Sequence, residues 1–139
     1  MTTSTATLTS FLLARIAEDE AVAGATLRET YPEGRGLNDG VWTHGKHEMD
    51  ECEVRCESGT MIIYDEGGHG PNEAEHIARH DPARVMAECE AKRRVVEECR
   101  ESEILSDEGT NGFVLACSVL RLLALPYASH AEYRSEWAP

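Results

Sequence analysis

The stretch that decides the fold is GFVLACSVLRLLAL, residues 112–125. It is apolar on nearly every side of a helix, with Arg121 as its single charge, and such a helix is typical of the centre of a small bundle. Pro126 ends it, because proline has no amide hydrogen to donate within a helix. We therefore expect the other helices to pack around this one.

A long helix is predicted on the N-terminal side of this stretch. Asp81 followed by Pro82 is a typical helix start, with the aspartate as N-cap and the proline in the first turn. The helix is expected over about 82–101, with a short helix over about 72–80 before it. Carboxylate and basic side chains four residues apart are expected to pair on its wet side, at Glu88–Lys92 and Glu90–Arg94.

Two further helices are expected near the ends of the chain. Apolar residues at roughly helical spacing predict one over about 9–28. The spacing of Ser129 and Glu132 is that of a capping box and predicts a last helix over about 129–137. One face of that helix would clamp onto the core through His130, Tyr133 and Trp137.

Residues 48–66 have the pattern of a β-hairpin. Apolar and charged residues alternate over 52–56, which is the period of a half-buried strand. Glu57-Ser58-Gly59 supplies a turn and residues 60–64 the return strand, while Trp42 either adds a third strand or caps the open face. The sequence therefore predicts an α+β, mainly α fold: a helical bundle of four to five helices with one antiparallel β-hairpin, in a single domain over 1–139.

The chain is strongly acidic. Its 139 residues carry 26 acids and 13 bases, a net charge of −13. This excess argues against direct nucleic acid binding and against anionic membrane surfaces, both of which need clustered Lys and Arg. The acid is concentrated in residues 37–75, with ten acids against two bases. A basic protein partner fits this charge better.

The expected location is the cytoplasm. Residues 1–10 are Thr-rich and lack the basic segment of a signal peptide, and the apolar run at 113–125 is too short to span a bilayer. The five cysteines are an odd number, which favours reduced thiols over a disulfide framework.

Three stretches together resemble a known family. They are FLLARIAEDEAVA at 11–23, AEHIARHDPARV at 74–85 and LRLLALPYASH at 120–130, the last followed by YRSEW at 133–137. In wording and order they resemble a family of small uncharacterised proteins, a domain of unknown function, from actinobacteria and their phages. The resemblance implies a lineage and carries no mechanism.

One group of side chains has ligand types suited to zinc: His44, His47, Cys52 and Cys56. Zinc requires its donors in a tetrahedron, with thiolates roughly 4 Å apart. On a strand, Cys52 and Cys56 would share a face but lie about 13 Å apart, at roughly 3.3 Å per residue. No cofactor is therefore expected, and a zinc site on these four residues is kept as an alternative.

No arrangement of catalytic residues is apparent. Cys117 lies in an apolar helix, where burial disfavours the reactive thiolate. The chain has no nucleophile elbow, phosphate-binding loop or dinucleotide fingerprint. We expect a protein that is not an enzyme.

The acidic segment 48–57 is the candidate partner-binding site, through Glu48, Asp50, Glu51, Glu53 and Glu57. It would be a docking surface for a basic protein, or a solvated sheet edge whose charge prevents aggregation. We expect a non-enzymatic accessory protein of phage or actinobacterial origin that binds another protein, as a host-factor inhibitor or a partial nucleic-acid mimic. The alternatives are a small zinc-binding regulatory module and a homo-oligomeric structural component, and the sequence leaves the oligomeric state open.

Overall fold

The computed structural model describes residues 2–28, 38–45, 51–64 and 68–139. Within these ranges it has four α-helices and one three-stranded antiparallel sheet, which confirms the expected α+β, mainly α fold. In chain order the elements are α1 (Thr2–Leu27), β1 (Trp42–His44), β2 (Val54–Cys56), β3 (Met61–Ile63), α2 (Pro71–Arg79), α3 (Pro82–Leu105) and α4 (Asn111–Ala124), followed by 3₁₀ turns at Leu125–Tyr127 and Ser135–Trp137.

The chain forms two compact units. Unit 1 comprises Met1–Glu18 with Cys89–Pro139, and unit 2 comprises Asp19–Glu88. Unit 2 contains the sheet and α2, and unit 1 contains α4 and the two 3₁₀ turns. The prediction of a single domain over 1–139 stays a prediction.

The sheet of unit 2 has three strands where a two-stranded hairpin was expected. Its order is β1-β2-β3, so the predicted hairpin supplies the central and one outer strand. Trp42 pairs with Cys56 and His44 with Val54, which makes the tryptophan segment the third strand. An isolated two-stranded ribbon is only marginally stable in water, and the third strand adds a ladder of backbone hydrogen bonds on the open side of β2.

The core of unit 2 lies between this sheet and α2. Val54 and Cys56 are buried while Arg55 between them is half-buried, which confirms the alternation read from the sequence. Ala74 and Ala78 of α2 are one helical turn apart and pack on Val54. Small side chains on that face let the helix approach the sheet closely. The cluster is completed by Trp42, Ile62, Ile63 and Ile77.

Asp81 joins helix α3 to the sheet within unit 2. One oxygen of its carboxylate accepts from the backbone amide of Arg84 at 2.8 Å, which is the predicted N-cap bond. The other oxygen accepts from the backbone amide of Trp42 at 3.1 Å. The same carboxylate therefore satisfies a free amide at a helix start and a free amide at a strand start.

Unit 1 differs from expectation at the start of α1, which begins at Thr2 and not near residue 9. Leu8 is buried and lies one turn before Phe11 and Leu12, so the buried stripe continues N-terminal to the predicted start. Thr and Ser near a helix start suggest a cap, but tertiary packing outweighs that weak local preference here.

The prediction that α4 is the centre of a helical bundle is wrong. Its bounds agree with the prediction, but only one side of it is buried, through Ala116, Leu120 and Ala124, with half-buried Phe113 and Leu123 next to them. The buried residues are four apart and form a stripe along the helix. The other apolar residues of α4 include exposed leucines and a valine, so the opposite side of the helix lies at the surface of unit 1.

The prediction of a last helix over 129–137 is also wrong. This segment forms turns and the 3₁₀ turn Ser135–Trp137 in place of an α-helix. The carboxylate of Glu132 accepts from Arg15 Nη1 at 3.0 Å, so it does not complete the expected capping box with Ser129. The backbone amide of Glu132 donates to Nδ1 of His130, which holds a turn at this point.

Arg15 fixes the end of the chain onto α1. Its side chain is 8% exposed and also donates to Glu18 at 2.8 Å, and its Nη1 lies against the ring of His130. A buried guanidinium is stable only when it is paired and hydrogen-bonded, and Glu18 of α1 and Glu132 of the C-terminal segment supply the carboxylates.

An aromatic cluster forms next to Arg15. The centroids of the Phe11 ring and the Trp137 indole are 4.9 Å apart. The Phe11 ring also contacts the rings of His130, Tyr133 and Tyr127. The prediction that His130, Tyr133 and Trp137 gather against the core is therefore confirmed, although no helix presents them. Aromatic pairs of this kind contribute beyond the area they bury.

We expect Asp81→Ala to lower the free energy of unfolding by about 1–3 kcal/mol, because two backbone amides lose their acceptor. Asp81→Asn keeps one acceptor oxygen and should lose less. Urea denaturation followed by circular dichroism measures both variants. An Ala variant as stable as the wild type would contradict the assigned role of this carboxylate.

We expect Trp137→Ala to destabilise the chain by about 3–5 kcal/mol, since it removes a buried aromatic side chain and leaves a cavity. Ser135→Ala, two residues away and exposed, is the control and should change stability by less than about 0.5 kcal/mol. Equal stability of the two variants in chemical denaturation would show that the aromatic cluster does not hold the segment.

Candidate functional site

The five residues of the predicted acidic site do not form one exposed group in the described part of the chain. Glu48 and Asp50 lie outside the described residues. Glu51 and Glu57 are exposed, whereas the side chain of Glu53 is 14% exposed and pairs with Arg55 at 2.8 Å. The segment also leads into the central strand of the sheet, so the alternative of a charged sheet edge does not apply to β2. Two exposed carboxylates therefore remain for docking among the described part of 48–57.

The predicted zinc ligands are not brought together in the part of the chain that is described. His47 lies outside it, and no group of three or more His, Cys, Asp and Glu among the described residues is arranged to hold a metal ion. The thiol of Cys56 is buried and donates to the side-chain oxygen of Asn38 at 3.5 Å. The backbone carbonyl of Cys52 forms a hydrogen bond with His69. His44 lies on β1, paired with Val54.

The cysteine thiols with shifted pKa values are held in the unreactive form. All five cysteines lie in the described residues, and none of them forms a disulfide there. Burial, with a hydrogen bond to Glu103 at 3.2 Å and the charge of that carboxylate, raises the pKa of Cys117 to about 11. Burial also raises the pKa of Cys56 and of Cys99. A nucleophilic cysteine needs the opposite shift, so none of these three is poised for covalent catalysis at neutral pH.

From Cys89 onward α3 belongs to unit 1, where it forms an antiparallel helical hairpin with α4. The connection between Leu105 and Asn111 is short, which places consecutive helices side by side. Gly112, near the start of α4, lies beside the end of α3: a Cβ added to it would be in ordinary van der Waals contact with the hydroxyl oxygens of Ser106 at 3.4 Å and Ser102 at 3.6 Å. Farther along, the thiol of Cys117 contacts Glu103.

A groove of about 390 Å³ runs between these two helices. On both helices the residues of the wall are adjacent or three to four positions apart, as expected for two helix faces that border one channel. The lining is almost entirely apolar in surface. It consists of Arg94, Val95, Glu98, Cys99 and Ser102 of α3 with Gly112, Leu115, Ala116 and Val119 of α4.

Large apolar side chains extend this groove into solvent. Leu115, Val119 and Leu122 recur at i, i+4 and i+7 on α4, and the two leucines are 65% and 54% exposed. At the end of α3, Leu105 is 85% exposed. Single exposed leucines are ordinary, but these residues lie along or next to one groove, which makes this apolar surface the candidate functional site.

The rim of the groove is acidic on the α3 side. Glu97, Glu98 and Glu101 are exposed, and none of the three forms an ion pair with another described residue. The one cation that lines the groove, Arg94, donates to Glu90 at 2.8 Å, which neutralises its charge locally. The groove therefore combines an apolar floor with a negative edge.

A second depression, of about 550 Å³, lies between α1 and the C-terminal segment. It is bordered by the aromatic cluster, and Arg134 stacks over the Trp137 ring at 5.6 Å. Two buried nitrogens in this region, Arg15 Nε and Trp137 Nε1, have no hydrogen-bond partner among the described residues. The side chains around it include those that hold the C-terminal segment against α1.

The sequence analysis missed the α3–α4 groove. Its signal was present in residues 112–125, whose apolar character on all sides was interpreted as burial on all sides. A helix of that composition is either enclosed by neighbours or leaves an apolar face for a partner, and the sequence alone does not count the neighbours.

A family model matches residues 5–139, nearly the whole chain, and its description is "Family of unknown function (DUF6221)". The chain belongs to this family. Comparison with curated proteins and with solved structures gave no match. No helix in the described ranges is both long and apolar enough to cross a membrane.

We expect Cys117 to react with iodoacetamide at pH 8 on the order of a hundredfold more slowly than an unperturbed cysteine, because so little of it is thiolate. Glu103→Gln removes the neighbouring charge and should speed the reaction. Glu108→Gln, an exposed change of the same kind, should not. Peptide mapping by mass spectrometry gives the rate at this residue, and alkylation at the rate of a free thiol would contradict the raised pKa.

Proposed function

We propose that this chain is a non-enzymatic accessory protein that acts by binding another protein through the apolar surface of the α3–α4 hairpin. The observation that carries the proposal is the row of exposed apolar residues along the groove, above all Leu115, Leu122 and Leu105. Soluble chains rarely leave such a surface without a partner, because its burial is favourable by about 25 cal/mol per Å².

The charge of the chain supports a basic partner. The net charge is −13, and the groove has exposed carboxylates along one side. The acidic segment 48–57 is less suited to be the main contact, since Glu53 is already paired with Arg55. Glu51 and Glu57 are better suited to attract a basic partner over distance than to hold it.

The proposal includes a cytoplasmic setting in an actinobacterium or one of its phages, where the partner would be a host factor that is inhibited on binding. A homo-oligomeric component is the second candidate, because the same apolar surface would also serve self-association. A zinc-binding module through His44, His47, Cys52 and Cys56 has no support from the arrangement of the described residues.

We expect a tagged chain to retain one host protein from an actinobacterial lysate at moderate salt, and the double variant Leu115→Gln, Leu122→Gln to lose it. Both leucines are more than half exposed, so the change should remove apolar contact without disturbing the core. Bound proteins are identified by mass spectrometry, and circular dichroism checks that the variant is folded.

The matched control is Val114→Gln with Leu125→Gln, two exposed apolar residues of the same helical region outside the groove. This control should retain the partner. Equal capture by the two double variants would remove the groove from the proposal, and absence of any captured protein would contradict the binding function itself. A molecular mass of twice that of one chain, measured by light scattering, would favour the homo-oligomer.

A further inference from the structure

We infer that the α3–α4 groove receives an amphipathic helix of another protein, with its apolar face in the groove and Lys or Arg along the flank next to α3. The inference rests on the proposed binding function and specifies the chemistry of the partner. It is carried by the shape of the groove and by the distribution of charge on its two sides.

The shape favours a helix as occupant. The groove is bordered by two helices, and its α3 wall follows residues 94 to 102, a length of about 12 Å at 1.5 Å per residue. Leu105 lies beyond this wall and Leu122 beyond the α4 wall, so the apolar surface continues at both ends. A helix laid between two others fills such a channel with residues three and four apart, the mode of helix-in-groove recognition.

The acidic residues beside the groove favour a partner helix with basic residues along one flank. Residues 95–111 contain six acids and a single base, Arg100. Three of the acids, Glu97, Glu98 and Glu101, are exposed on α3, and Glu98 lines the groove. A partner helix with Lys or Arg beside its apolar stripe would pair with them, which gives orientation and rapid association more than raw affinity.

The same charge disfavours a second copy of this chain as the occupant. A symmetric dimer would bring the same surface patch of both copies together, so the excess of acids over bases in residues 95–111 would be present on both sides of the interface. Like charges opposed across an interface are destabilising.

A designed peptide probe tests the inference directly. The probe is a fluorescent amphipathic helix of about 18 residues, built from Leu on one face and Lys on the other. Two matched peptides accompany it: one with Glu in place of every Lys, and one with the same Leu and Lys in scrambled order. Fluorescence anisotropy at about 150 mM salt, near the physiological ionic strength, gives the three affinities.

We expect the basic amphipathic peptide to bind at least about tenfold more tightly than either matched peptide, a difference of about 1.4 kcal/mol. Leu115→Gln with Leu122→Gln should weaken it about tenfold, and Val114→Gln with Leu125→Gln by less than about twofold. Glu97→Gln with Glu101→Gln should weaken it more than Glu51→Gln with Glu57→Gln, which changes the net charge equally on exposed residues of unit 2.

Several results would overturn the inference. Equal binding of the ordered and scrambled basic peptides would show attraction by charge alone. An unchanged affinity of the Leu115, Leu122 variant would place the peptide elsewhere. A dimer that this variant abolishes would identify a second copy as the occupant. If a captured protein is lost with the groove variant while no peptide binds, the binding function stands and the helical, basic partner is wrong.

Discussion

Helix α4 buries only one of its sides, and much of the surface chemistry of unit 1 follows from that constraint. The buried stripe is made of Ala116, Leu120 and Ala124, whose spacing places them in line along one side of the helix. The helix nevertheless carries leucines and valines on its other sides. Because they have no neighbour within the described chain that covers them, Leu115 and Leu122 remain at the surface, where they extend the wall of the α3–α4 groove.

The end of the chain is fixed by a charge and not by a helix. Arg15 is nearly buried, so it needs acceptors, and Glu132 and Glu18 supply them. The aromatic side chains then close over Phe11. Arg15 is the buried member of both ion pairs, whereas the side chains of Glu18 and Glu132 are 60% and 71% exposed and reach it from the surface. The residues that could have formed a covering helix are thereby held in turns against α1.

Local signals in the sequence predicted the elements whose causes are local. Asp81 followed by Pro82 marked the start of α3, and the alternation around Val54 marked the buried face of β2. The wrong predictions concern segments whose conformation depends on residues far away in the sequence. Glu132 lies 117 residues from Arg15, so the loss of its capping role could not be read from neighbouring residues. Likewise, the composition of α4 is compatible with burial or with a binding face, and only the number of packed neighbours separates the two.

The most direct test of the docking surface is hydrogen–deuterium exchange of the chain with and without its captured partner, read by mass spectrometry. Binding in the groove should slow exchange in peptides that cover 94–105 and 112–125, because a docked helix suppresses the local opening of both walls. The sheet peptides around 51–64 should exchange at the same rate in both states. Protection confined to 51–64, with no change along α3 and α4, would contradict the groove as the site and return the acidic segment to that role.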